Sequence, residues 1–264
     1  MPSVTVNRLE MAYLLDGGGT ETIVLINGIA DEKESFAFQV EAFAAAGYRV
    51  LCLDNRGIGG TGTPDGPYTT RQMAEDAKGL VDALGIDDVH LVGFSMGGMI
   101  AQEYACAFGD GLRSVSLVAS YAAPGPFCAK LFDMWAEITR ASGVETVVRE
   151  VLLWCFTPAF YEDQRALAQE FDDGIAGIRL TAEGFLAQLA AIQRHDTTER
   201  LGALGLPTLV LAGEADMLIP PIQSRRLHAA IPGAEWVTVQ GGHAALWEFP
   251  ETFNAAVLDF IGRH

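Results

Sequence analysis

Residues 90–98 read His90-Leu91-Val92-Gly93-Phe94-Ser95-Met96-Gly97-Gly98, an apolar run that ends at a serine set between glycines. Gly93 to Gly97 is a G-x-S-x-G pentad, with a buried strand expected before it and a helix after it, the context that gives this motif its meaning. A turn from strand to helix this tight forces the serine backbone into strain. The positions two residues away on either side then have no room for a side chain, hence Gly93 and Gly97. The hydroxyl stands above the sheet, and the following helix points its positive N-terminus at the reacting oxygen. Ser95 is therefore the candidate nucleophile.

Outward from the pentad, two kinds of segment alternate. Short β-branched runs at Thr22–Ile26, Tyr48–Leu53, Val89–Val92, Ser114–Val118, Thr208–Leu211 and Trp236–Val239 read as buried strands. Stretches at Ser35–Ala46, Arg71–Leu84, Met96–Phe108, Pro221–Ala230 and Glu251–Ile261 read as helices. This alternation predicts an α/β fold, a mainly parallel sheet with helices on both faces. Val4–Leu15 reads as a hairpin or edge pair. The alternation breaks from about residue 122 to residue 200, a region of helical periodicity rich in aromatic residues. It predicts an inserted helical lid (122–200) dividing the core into 1–121 and 201–264.

A serine hydroxyl needs a base within hydrogen-bond reach. Among five histidines, His90 lies inside a strand, His195 at the exit of the lid, His228 on a helix and His264 at the end of the chain. His243 stands in Gly241-Gly242-His243-Ala244-Ala245, after the last strand and before a helix. That is the carboxyl edge of the sheet, where open α/β sheets place ligands. The imidazole in turn needs a carboxylate to fix its tautomer and stabilise the cation. Gly213-Glu214-Ala215-Asp216-Met217-Leu218-Ile219-Pro220 follows the Thr208–Leu211 strand and supplies Asp216, with Glu214 as competitor. Asp216 is preferred because Glu214 lies nearer the strand end, where the turn is still forming.

The order Ser, Asp, His, together with Gly93–Gly98, Gly213–Pro220 and Gly242-His243, resembles the α/β-hydrolase family over essentially the whole chain. More narrowly, Ser95–Gln102 and Asp54-Asn55-Arg56-Gly57-Ile58-Gly59 look like the 3-oxoadipate enol-lactonase and small esterase group. The resemblance implies an eight-stranded, mostly parallel sheet with an inserted helical lid. It implies an oxyanion hole from the backbone N–H of Met96 and of Ile29, the residue after Asn27-Gly28; Asn27 stands where the family commonly has histidine. Trp135, Trp154, Met217 and Leu218 are the expected pocket walls. The expected function is hydrolysis of a small carboxylic ester or lactone through an acyl-enzyme. Rival readings on the same triad are a cofactor-free perhydrolase or oxygenase and a hydrolase of carbon–carbon bonds. A low-turnover ligand receptor is the rival from another class.

Gly57-Ile58-Gly59-Gly60-Thr61-Gly62 fits G-x-G-x-x-G, and Asp82 falls where a ribose acid would stand. Pro64 and Pro67 follow at once and leave no helix to face the loop, so dinucleotide binding is rejected and no cofactor is expected. Four cysteines, Cys52, Cys106, Cys128 and Cys155, lack a CxxC pair or metal-ligand spacing, so neither a metal nor a disulfide scaffold is expected. The formal charge of −17 argues against nucleic acid and anionic membranes, and no apolar run approaches a membrane span. A small-molecule substrate and a cytoplasmic location are expected, with oligomeric state unassigned. A dianionic enol-lactone would require an Arg or Lys in the pocket. Lys130, Arg140, Arg149 and Arg179 are the lid candidates, with helical surfaces their expected home.

Overall fold

A computed structural model describes residues 2–264. The chain opens on a hairpin of β1 (Ser3–Val6) and β2 (Leu9–Asp16), turned by Asn7 and Arg8 at φ of 53° and 65°. Six parallel strands follow: β3 (Thr22–Ile26), β4 (Arg49–Leu53), β5 (Val89–Phe94), β6 (Leu112–Val118), β7 (Thr208–Gly213) and β8 (Glu235–Val239). The sheet order is β1-β2-β4-β3-β5-β6-β7-β8, with β2 antiparallel to β4. Every residue of β3, β5 and β7 is buried. That is why these strands read as continuous apolar runs rather than alternating ones. Each Val, Leu or Ile so buried contributes about 1.5–3 kcal/mol.

Helices cover both faces. Between strands lie α1 (Ala37–Ala45), α2 (Thr70–Ala83) and α3 (Met96–Phe108). The lid comprises α4 (Pro126–Ser142), α5 (Val144–Cys155), α6 (Pro158–Asp163), α7 (Arg165–Gly174) and α8 (Ala182–Gln193), all between β6 and β7. After β7 come α9 (Pro221–Ala230), α10 (Ala245–Glu248) and α11 (Pro250–Ile261). Helices α1 and α11 pack together, as do α2 and α3. The expected helix at Ser35–Ala46 begins instead as a 3₁₀ turn, Lys33–Phe36, before α1. The Lys33 amide is drawn to Asp54 Oδ1 at 2.7 Å, which fixes this tighter start.

Residues Met96–Ala105 of α3 are all buried, so this helix needs small residues where it crosses the sheet. A Cβ on Gly97 would lie 1.9 Å from the Ile26 carbonyl oxygen, and one on Gly93 2.2 Å from the Gly97 oxygen. The first turn of α3 thus rests directly on the end of β3. Gln102, buried within α3, spends its amide on the Gly98 and Tyr121 carbonyls and accepts from Thr197 Oγ1 at 2.6 Å. His195 joins the same group, 2.9 Å from Thr70 Oγ1. These contacts fasten the returning end of the lid to α2 and α3. Among the described residues no helix is long and apolar enough to cross a membrane.

Candidate active site

Because β3 to β8 are parallel, their carboxyl ends share one edge, and four of them deliver the site. β5 delivers Ser95, at φ 54° and ψ −115°, a strained conformation for a residue with a side chain. β7 delivers the turn holding Asp216. The loop after β8 delivers His243, and β3 delivers Asn27–Asp31. Asp216 is buried, and its Oδ1 accepts the amides of Leu218 (2.9 Å) and Ile219 (2.8 Å). Its Oδ2 lies 2.8 Å from His243 Nδ1, which leaves the opposite ring nitrogen to act on a substrate proton. Glu214 is exposed and turned away. The His243 ring packs on Phe94, with centroids 5.0 Å apart.

Ser95 and His243 open into one cavity of about 300 Å³. That lies at the small end of the range for ligand pockets. Its floor includes Gly28, Ile29 and Phe94, and its roof comes from the lid. Helix α5 presents Val148, Val151, Leu152 and Cys155, and α7 presents Phe171. Leu218 and Trp247 close the sides. Burial pushes the Cys155 thiol well above its ordinary value, so it is an inert wall rather than a second nucleophile.

The amides of Ile29 and Met96 donate to no backbone acceptor among the described residues; Met96 follows Ser95 in the chain, and Ile29 lines the same cavity as Ser95. Asn27, at the histidine position of the resemblance, braces the loop by donating from Nδ2 to the Asp31 carbonyl at 3.1 Å, closing a tight turn. Within it Ala30 sits at φ 63°, and its amide donates to Gln188 Oε1 of α8 at 3.3 Å. Gln188 also donates to the Arg56 carbonyl, so the lid grips this loop directly.

Of the four expected wall residues, Leu218 lines the cavity and three do not. Trp135 and Trp154 both donate their indole N–H to the Glu150 carboxylate, which holds them on the α4–α5 seam. Trp154 meets Phe127 on the outer face of the lid. Met217 is thrown outward because the residues after it turn their amides in toward Asp216; it is 39% exposed. The residues that do line the roof carried one signal. Val148, Val151, Leu152 and Cys155 are spaced i, i+3, i+4, i+7, a helical stripe, but spacing does not say what a stripe faces.

The glycine-rich loop is already filled by the protein's own carboxylate. Asp54 Oδ2 accepts the Gly60 amide (2.7 Å) and lies 2.9 Å from Lys33 Nζ, while Thr61 Oγ1 donates to the Asp54 carbonyl at 2.8 Å. The N–H groups that a phosphate would need are already spent, Gly60 on Asp54 and Gly57, Ile58, Gly59 and Thr61 on the carbonyls of Gly62, Asn55, Arg179 and Ile58. Asp82 is exposed and pairs with Lys78. None of the four lid cations lines the cavity. Arg149 pairs with Glu145 and Asp172, Arg179 pairs with Glu32, Lys130 edges an outer groove, and Arg140 is exposed. Among the described residues no cluster of His, Cys, Asp and Glu could hold a metal ion.

The fold and this arrangement define a hydrolase of the α/β class. Residues 21–250 match the alpha/beta hydrolase fold family, and the chain belongs to it. Over 263 residues, 99% of this chain and 98% of the relative, it is 30% identical to RutD of Azorhizobium caulinodans, a carbamate hydrolase by provisional assignment. In three dimensions it is similar to the enol-lactonase from Burkholderia xenovorans, with a TM-score of 0.91 and 30% identity over 99% of this chain and 100% of that one. It is also similar to a bromoperoxidase from Bacillus anthracis, with a TM-score of 0.89 and 25% identity over 99% of each chain.

Proposed function

We propose that this hydrolase cleaves small carboxylic esters or lactones that carry no negative charge, through an acyl-enzyme on Ser95. The observation that carries the reading is a strained Ser95 sharing one cavity with a His243 whose Nδ1 lies 2.8 Å from a buried Asp216. His243 takes the Ser95 proton as Oγ attacks the carbonyl carbon. The amides of Ile29 and Met96 hold the oxyanion, and His243 returns the proton to the departing alkoxide. Water, activated by the same imidazole, then releases the acid. Asp216 orients the ring and stabilises its cation.

The lining argues for the charge class. Asp31, Glu32, Glu34 and Glu170 line the cavity, and no Lys or Arg does among the described residues. A dianionic lactone would meet four carboxyl side chains, with the Lys33 and Arg179 charges spent on Glu34 and Glu32 and no cation in the lining itself, which disfavours the substrate the enol-lactonase likeness first suggests. Steady-state hydrolysis of p-nitrophenyl esters, simple lactones and carbamates, with Ser95→Ala as control, tests the reading. The expected result is turnover of short neutral esters that disappears in Ser95→Ala. Equal turnover in that variant, or none by the folded wild type, would overturn it.

A further inference from the structure

Asp31 is a titratable group in the cavity that the chemistry above does not use. It is half-buried, lies on the tight Asn27–Asp31 turn, and lines the same cavity as Ser95, His243 and Ile29. Its Oδ2 comes within 2.8 Å of where a Cβ on Gly28 would stand, so a side chain at position 28 would displace the carboxyl. No cation pairs with Asp31 among the described residues, whereas Glu32 and Glu34 hold Arg179 and Lys33. Aromatic rings line the same cavity. Trp247 lies 5.7 Å from Phe94 and 5.4 Å from Phe171, centroid to centroid, and all three rings line the cavity. A carboxylate without a cation, sharing a cavity with aromatic rings, is the chemistry that recognises an ammonium group, by ion pairing and by the ring quadrupoles.

Resting on the serine-hydrolase reading, we infer that Asp31 is a specificity residue that selects esters carrying a cationic amino group. The wall is complementary in sign, and the formal charge of −17 over the whole chain attracts cations to it. Desolvation pushes the Asp31 carboxyl up to about 7, against the Gly28 amide that donates to it. Its charge, and with it the selection, therefore switches on across neutral pH. The other titratable groups lining its cavity are Glu32 and Glu34 on its own loop, Glu170 and Cys155 from the lid, and His243 from the core, with Lys33 and Arg179 behind Glu34 and Glu32.

The test is the ratio of kcat/KM for an amine-bearing p-nitrophenyl ester to that for its isosteric neutral analogue, measured from pH 5.5 to 8.5. The ratio cancels any pH dependence that the two substrates share. In the wild type it is expected to rise at least tenfold with a midpoint near pH 7. In Asp31→Asn the step is lost and the ratio at pH 8 falls at least tenfold, and Asp31→Glu restores part of it. A Ser95-dependent enzyme whose ratio is flat with pH, or unchanged by Asp31→Asn, overturns the role of Asp31 while leaving the serine mechanism standing. Hydrolysis of neither ester, or hydrolysis that survives Ser95→Ala, removes the underlying reading instead.

Discussion

At the residue scale, the site depends on atoms that have almost no freedom to move. Gly97 admits no side chain, because a Cβ would stand 1.9 Å from the Ile26 oxygen. Gly97→Ala is expected to cost about 3 kcal/mol in a denaturant melt, by separating α3 from the end of β3. Asp216→Asn keeps the Oδ1 acceptor for Leu218 and Ile219 but removes the charge facing His243. It is expected to leave the melting temperature nearly unchanged and to lower kcat roughly 10³–10⁴-fold. Among residues, what the sequence disclosed follows from rigidity. Ser95, Asp216 and His243 sit on short turns at strand ends, where chain position nearly fixes side-chain position. Trp135, Trp154 and Met217 lie on a helix seam and an outer bend, where partners such as Glu150 decide which way a side chain goes.

At the element scale, the lid is joined to the chemistry by a small number of contacts. Helix α8 starts at the Thr181 cap, whose Oγ1 accepts from Gly184 N, and reaches the Ala30 amide and the Arg56 carbonyl through Gln188. Gln188→Ala leaves both partners without their bond and frees the left-handed Ala30. About a tenfold fall in kcat/KM is expected, the equivalent of one buried hydrogen bond, with far-UV circular dichroism preserved. The glycine-rich loop belongs at this scale too. Its pattern is legible as a nucleotide motif, and only the prolines after it and the Asp54 that fills it show otherwise. The strands were readable because three of them are buried end to end. The 3₁₀ start before α1 was not, because it is set by Asp54, 21 residues further along the chain.

At the scale of the whole molecule, stability and pH meet at the clamp that closes the lid. His195 is 2% exposed, and burial lowers it from 6.5 to about 4. A base depressed in the folded state is neutral there while the unfolded chain still takes up a proton. Stability is therefore full above pH 6.5 and lost as pH falls toward 4, at about 1.4 kcal/mol per unit. A urea midpoint that falls between pH 6.5 and 4.5 is expected, with His195→Gln flattening that slope. The middle of the lid, where α5 passes into α6, is joined to the core differently. The Ala244 amide, next to His243, donates to the Cys155 carbonyl at 2.9 Å, and Glu248 accepts from Thr157 N with one oxygen and from Gly242 N with the other. The His243 loop and the roof thus share one seam of hydrogen bonds. The lid is therefore not an interchangeable cassette: a chimera carrying another relative's segment must import its counterpart of the 241–248 loop as well, or inherit a histidine aimed for a different ceiling.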